Sequence, residues 1–228
     1  MDVVLEGTDF AMVYMDDILV FSKDEREHAD QLAIVLQKIS AAGLTLRGRK
    51  CRIGVSEVSF LGHVFSSKGM QPDPDKVRSM VHWPQPTTAN EVRRFIRLAS
   101  YYRRFIDHFA DIAKPLHNLT EKDVLFEWND ECQESFMTLK QALTWEPILA
   151  LPDCAMPFDL FTDASQYGLA VLEQGNHVIA YASRLLRSPD RNYSVIEKEC
   201  LAIIFAVKQF RHYLLGTHFT IHTDHRPL

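Results

Sequence analysis

Residues 10–22 read Phe10-Ala11-Met12-Val13-Tyr14-Met15-Asp16-Asp17-Ile18-Leu19-Val20-Phe21-Ser22. Two short apolar runs flank a pair of acids, a pattern that reads as two buried strands around an Asp16-Asp17 tip. On a straight strand adjacent side chains point to opposite faces, so both carboxylates reach one place only if the chain turns between the runs. Adjacent aspartates inside an apolar segment are costly unless a partner offsets their lost hydration, and a divalent cation is the natural partner. These letters alone leave open an Asp-Asp surface turn.

Outward from this hairpin, prolines cut the chain near residues 72–74, 84–86 and 147–157. Residues 25–42 are expected to be helical, with Ala29, Leu32, Leu36 and Ile39 on one face and Gly43 as the stop. Short strands are expected over residues 44–46 and 58–61. Thr88-Ala89-Asn90-Glu91 is a capping box that opens a helix running to about Ile106. A further helix over residues 130–143 carries Cys132, Phe136, Leu139 and Leu143 on one stripe. The proline-rich stretch 146–157 reads as a connector between two loosely coupled bodies. Strands at 158–163, 169–172 and 178–182, a helix over 195–214 and a strand at 219–224 then suggest an α/β unit with a crossover connection.

With 228 residues, 46% hydrophobic and 24% charged, the chain can bury at least one core and has room for more than one compact unit. The longest apolar run, residues 201–207, is too short to span a bilayer. No membrane partner is expected, and the chain is read as intracellular. Cys51, Cys132, Cys154 and Cys200 form no C-x-x-C pair, which argues against a zinc site or a disulfide framework and for reduced packing residues.

A formal charge of −5 argues against a polyanionic partner, yet residues 92–106 hold Arg93, Arg94, Arg97, Arg103 and Arg104 and no acid. On a helical wheel Arg93, Arg97 and Arg104 fall within about 40° of one another, with Tyr101 and Arg94 alongside. Val92, Phe95, Ile96, Ala99, Tyr102 and Phe105 fill the other side. A solvated basic face is the plain alternative; the lack of any acid points to phosphate contact.

Asp163 and Asp224 each end an expected strand, and strand ends of an α/β sheet are where ligands gather. Two glutamates compete for a place beside them. Ser194-Val195-Ile196-Glu197 is a capping box, which gives Glu197 a structural role, whereas Glu199 shares the apolar face with Ile203, Ala206 and Phe210. A carboxylate on that face needs a metal or another partner, so Glu199 is the expected third acid.

These residues carry a resemblance. Residues 10–22 resemble the Y-x-D-D hairpin of reverse transcriptases, and residues 95–106 look like the thumb helix of gypsy-type LTR-retrotransposon enzymes, which tracks a template-primer minor groove. Residues 160–228 resemble the RNase H of the same elements through Thr162-Asp163-Ala164-Ser165, Ala180-Tyr181-Ala182-Ser183-Arg184, Glu197-Lys198-Glu199, Tyr213-Leu214-Leu215-Gly216 and Thr223-Asp224-His225.

The resemblance implies a mixed α+β and α/β fold: a partial reverse-transcriptase palm (1–66), a helical thumb (67–122), a connection (123–153) and a partial RNase H-like α/β domain (154–228). It implies Mg²⁺, with Mn²⁺ as a substitute, held by Asp16 and Asp17 and again by Asp163, Glu199 and Asp224. Lys50, in Arg49-Lys50-Cys51, matches a lysine near the leaving pyrophosphate, and Phe60-Leu61-Gly62-His63 matches the turn that holds the primer end. Together with Arg93, Arg97, Tyr101 and Arg104 these are the expected nucleic-acid contacts. Implied partners are an RNA/DNA hybrid, a template-primer duplex and, in a fuller enzyme, deoxynucleoside triphosphates.

The sequence departs from the family in four places. Arg97 stands where a small residue is usual, and residues 167–172 fall one short of the family's G-x-G-A-V-L. By the resemblance, a palm strand bearing a third polymerase aspartate is expected ahead of the hairpin, and the rest of an RNase H fold is expected beyond Leu228; neither is read within these 228 residues. These departures support a second reading, a catalytically silent remnant that binds nucleic acid or protein.

Overall fold

The computed structural model describes residues 3–145, 148–164, 167–186 and 190–224. Pro147, Ser165 and His225, quoted above, lie outside them. The chain forms two compact units, residues 1–60 and 61–228.

In the first unit β1 (Ala11–Tyr14) and β2 (Asp17–Val20) pair antiparallel, with Tyr14 opposite Asp17, so residues 15 and 16 make the turn. α1 (Glu25–Ala41) starts where the Asp24 carboxylate accepts from the Glu27 amide at 2.8 Å. Its buried residues are Val35 and Ile39, which pack with Leu5, whereas Leu36 is 41% exposed. The expected face is therefore rotated. Leu32, Ile34, Val35 and Leu36 make the helix apolar on several sides, and the position of the small core, not the pattern, selects one. Residues 44–46 form no strand: they are exposed and lead into a short turn at Gly48–Lys50. β3 (Glu57–Phe60) closes the unit.

The second unit opens with the hairpin of β4 (His63–Ser66) and β5 (Gly69–Pro72), then α2 (Pro74–Val81) and α3 (Ala89–Tyr101). Thr88 caps α3, and Glu91 accepts back from the Thr87 amide at 2.7 Å. The helix ends at Tyr102 and a tighter turn, Arg103–Phe105, follows, so the expected regular wheel through Ile106 breaks before Arg103. α4 (Phe109–Ile112), α5 (Lys114–Asn118) and α6 (Asp130–Thr144) complete the helical part. The expected stripe of Cys132, Phe136, Leu139 and Leu143 on α6 is buried, in one apolar cluster with Phe95, Tyr102 and Met80. Of the four cysteines only Cys132 is a packing residue by burial; Cys51 and Cys154 are exposed.

The C-terminal sheet has the order β8 (His177–Leu185), β7 (Tyr167–Gln174), β6 (Phe158–Asp163), β9 (Phe219–Thr223), with β9 parallel to β6. α7 (Val195–Gln209) and α8 (Arg211–Leu214) make the crossover. A second apolar cluster joins Phe158, Leu160, Ala170 and Leu172 to Ala206 and Phe210. Asp163 pairs with Leu169 and Leu160 with Leu172, so strand alternation is kept through β6 and β7.

The expected loose joint over residues 146–157 is not found. Leu149 belongs to the first cluster and bridges Met70, and the next residue, Ala150, donates its amide to the Val178 carbonyl at 2.8 Å. Arg103 donates to the Ser183 carbonyl at 2.6 Å, and the Ala110 amide donates to Ser183 Oγ at 2.8 Å. Two cores thus share one compact unit, tied together at buried Leu149 and at Ala150, while residues 151–157 of the connector are exposed.

Candidate functional site

Asp16 and Asp17 sit at the tip of the β1–β2 hairpin and both are exposed. The turn forces Met15 to φ 53°, a left-handed conformation that a non-glycine residue adopts at a cost. Two carboxylates at one tight turn repel each other and offer hard oxygen donors. That donor set suits a hard divalent ion. Lys50 ends the Gly48–Lys50 turn, exposed, in the same unit.

Phe60 ends β3 and is buried. Leu61 and Gly62 follow with φ 50° and 70°, and His63 begins β4. His63 Nδ1 lies 2.9 Å from the Leu61 carbonyl oxygen, which can only accept, so Nδ1 carries the proton. The ring packs against Tyr101, Tyr102 and Phe105 at centroid distances of 5.4, 5.6 and 5.6 Å. Burial holds the His63 pKa below the ordinary histidine value; its bond to Leu61 opposes this, the Arg104 charge adds to it, and Asp73 opposes it weakly.

That shift has a sign. The unfolded chain takes up the proton first as pH falls, so the folded state's advantage is present above about pH 6.5 and is lost as pH drops from there through the lowered folded value. His117 and His212 shift the same way, burial again being the largest cause. The melting temperature should therefore fall on acidification from about pH 7.5 to 5.5. His63→Gln, which keeps a donor and removes the titration, should make the fall shallower; an equally steep profile in that variant would assign the loss elsewhere.

The basic face is divided by the structure. Arg93 donates to Asn90 Oδ1 and to the Thr120 carbonyl, both at 2.8 Å, and Arg104 donates to the Tyr213 hydroxyl at 2.7 Å. Arg94 and Arg97 are exposed on α3, and Tyr101 is 51% exposed. The arginines expected to act as one face thus separate into two that tie segments of the unit together and two that face solvent.

Asp163 is the last residue of β6, and Asp224 directly follows β9; Thr162 pairs with Thr223, so the two acids are side by side. Both line a cavity of about 520 Å³ with Phe161, His222, Asp107 and His108. His222 stacks on Phe161 at 4.4 Å and pairs with Asp159 at 2.7 Å. Alternation turns Leu160 and Thr162, both buried, toward α7 and leaves Phe161 and Asp163 on the opposite, exposed face.

Glu199 is 5% exposed, in one stripe of α7 with Ala202 and Ala206, against the inner face. It does not line that cavity. Among the described residues no group of three or more His, Cys, Asp or Glu side chains is placed to hold a metal ion. Asp163 and Asp224 thus stand together at the sheet end, while the third expected acid, Glu199, packs against the inner face of the sheet. Glu197 is the helix cap: its carboxylate accepts from the Ser194 amide and hydroxyl, each at 2.8 Å, and these bonds hold its pKa down.

The RNase H-like domain found in reverse transcriptase matches residues 128–221, and the reverse transcriptase (RNA-dependent DNA polymerase) family matches residues 1–65. Among curated proteins, the retrovirus-related Pol polyprotein from transposon 297 of Drosophila melanogaster is 45% identical over 95% of this chain, and that from transposon gypsy of the same organism is 37% identical over 95%. The chain belongs to the gypsy-type Pol family, as a reverse-transcriptase and RNase H-like segment. It spans 21% and 22% of the length of those two Pol relatives. The fold of this Pol segment is similar to that of the foamy viral protease-reverse transcriptase solved with an RNA/DNA hybrid, at TM-score 0.87 and 24% identity, covering 96% of this chain and 31% of that one.

Sequence reading named Tyr102, Arg103, Ser183 and Tyr213 but gave none of them the tertiary hydrogen bond it makes. Tyr102 carried a usable signal, since a tyrosine on the apolar side of a helix needs a partner for its hydroxyl. The Arg103–Ser183 bond, 80 residues apart in sequence, carried none.

Proposed function

We propose that this chain serves RNA-directed DNA synthesis coupled to RNase H, as the part of a longer polymerase that presents acids at the primer end and holds the duplex behind it. One observation carries the reading: two exposed aspartates at the strained tip of an antiparallel hairpin, in a chain alike to Pol relatives over nearly all its length. Asp16 and Asp17 would hold Mg²⁺, with Mn²⁺ as a substitute. When bound there, such an ion acidifies an attacking hydroxyl and neutralises phosphate charge. Lys50 supplies a further positive charge for the leaving pyrophosphate of a deoxynucleoside triphosphate. The turn at Phe60, Leu61, Gly62 and His63 bears on the primer strand, and Arg97, with Arg94, contacts duplex phosphates without reading sequence.

Two measurements test this. Mn²⁺ titrated into the chain should broaden the backbone resonances of residues 15–18 first, and Asp16→Asn with Asp17→Asn should remove the effect; earlier broadening around residues 163 and 224 would move the ion to the other unit. Binding of an RNA/DNA hybrid should weaken with salt, and Arg97→Ala should lower the slope by about one unit. Arg104→Ala should instead lower the melting temperature, because its guanidinium is tied to Tyr213. Equal loss of slope from both substitutions would restore the undivided face.

A second reading of the RNase H-like part is favoured by the separation of Glu199 from Asp163 and Asp224: a module that binds hybrid or protein without cutting. Cleavage of the RNA strand by the chain, abolished by Glu199→Gln, would support the hydrolytic assignment of Asp163, Glu199 and Asp224. Intact hybrid binding with no cleavage would support the binding module.

A further inference from the structure

Leu61 is an aliphatic residue at φ 50°, a conformation its side chain disfavours, so something outside the turn must hold it. Four donors converge on two carbonyls. Leu61 O accepts from the Tyr101 hydroxyl at 2.5 Å and from His63 Nδ1 at 2.9 Å; Gly62 O accepts from the Tyr102 hydroxyl at 2.9 Å and from the Asp73 amide at 3.0 Å. A carbonyl oxygen has two lone pairs, so both are saturated.

Two of these donors are consecutive residues at the end of α3, 40 positions along the chain from the turn. Consecutive helical side chains diverge by about 100°. Both can meet one turn only because that turn lies across the helix end, with Tyr102 buried at 1% exposure and Tyr101 on the flank at 51%. A Cβ on Gly62 would come within 3.3 Å of Tyr101 Cε1 and 3.4 Å of the Tyr102 hydroxyl oxygen, so the rings sit directly on that glycine.

We propose that Tyr101 and Tyr102 are positioning residues, whose hydroxyls fix the backbone of the 61–62 turn from the thumb helix. This rests on the nucleic-acid reading above and deepens it. A duplex lying along Arg94 and Arg97 on α3 then meets a turn whose geometry the same helix sets, and the alignment of primer with turn is built in before binding.

The test uses Tyr101→Phe, Tyr102→Phe and the double variant in the full chain, with Tyr213→Phe as a control that removes a hydroxyl elsewhere. Amide exchange is read at His63 and Asp73, and affinity is read with an RNA/DNA hybrid bearing a recessed DNA 3′ end. In the double variant, exchange at both amides should rise at least tenfold on the scale expected for loss of two bonds. Hybrid affinity should fall about tenfold, equivalent to 1.4 kcal/mol, with the salt slope unchanged because no charge is removed. Tyr213→Phe should leave exchange at both amides as in the parent.

Unchanged exchange overturns the proposal, as does an equal rise in Tyr213→Phe. So does unchanged hybrid affinity beside a lowered melting temperature, which would mark the hydroxyls as structural only. A parent chain that binds no duplex defeats the nucleic-acid reading instead, and the exchange comparison still decides whether the tyrosines hold the turn.

Discussion

Gly69→Ala should destabilise the 61–228 unit by about 3 kcal/mol or more, at the upper end of what single substitutions do. Gly69 opens β5 at φ 131°, and a Cβ there would stand 2.2 Å from the Leu149 carbonyl oxygen and 3.1 Å from its carbon. Both are backbone atoms, so no side-chain rotation relieves the clash. The next residue forms the bridge on which the connector depends: Met70 N–H donates to Leu149 O at 2.8 Å, and Leu149 N–H donates to Met70 O at 2.9 Å. Displacing the connector breaks both bonds and draws Leu149, 1% exposed, out of its cluster. Gly48→Ala is the control, since a Cβ there meets nothing within 4 Å and no positive φ is required. Urea titration should show Gly48→Ala near the parent; a Gly69→Ala midpoint equally close would mean that the bridge can shift at little cost.

Phe95→Ala should cost about 3–5 kcal/mol, and Leu160→Ala about 2–5 kcal/mol, both as cavity losses in cores with no water access. Phe95 is 0% exposed, with its ring 4.6 Å from that of Phe136, and Leu160 is 0% exposed under Ala206 and Phe210 in the other cluster. The instructive outcome is that both should lower one common unfolding transition of the 61–228 unit. The bonds from Arg103 and Ala110 to Ser183, and from Ala150 to Val178, tie the clusters together, and partial unfolding would strip them from the remaining half. Two transitions in calorimetry, each moved by only one substitution, would return the chain to the loosely coupled arrangement that its prolines suggested.

Local chemistry made much of this protein readable from its sequence. The hairpin around Asp16-Asp17, the caps at Thr88 and Ser194, the buried stripe of α6 and the Phe158–Asp163 strand follow from periodicity and side-chain-to-backbone bonds within a few residues. The family resemblance was legible for the same reason, being carried by short ordered motifs. Tertiary structure decided what those elements do to one another. An arginine reads alike whether it meets a phosphate or a distant carbonyl, so only packing separates Arg97 from Arg93 and Arg104. The wheel correctly puts Glu199 on the apolar side of its helix, but which sheet face that side covers is a matter of strand register and crossover. Asp163 accordingly falls on the far face. The clamp of Tyr101 and Tyr102 on Leu61 and Gly62 joins residues 40 apart, and hydrogen bonds of that range leave no periodic trace in a chain.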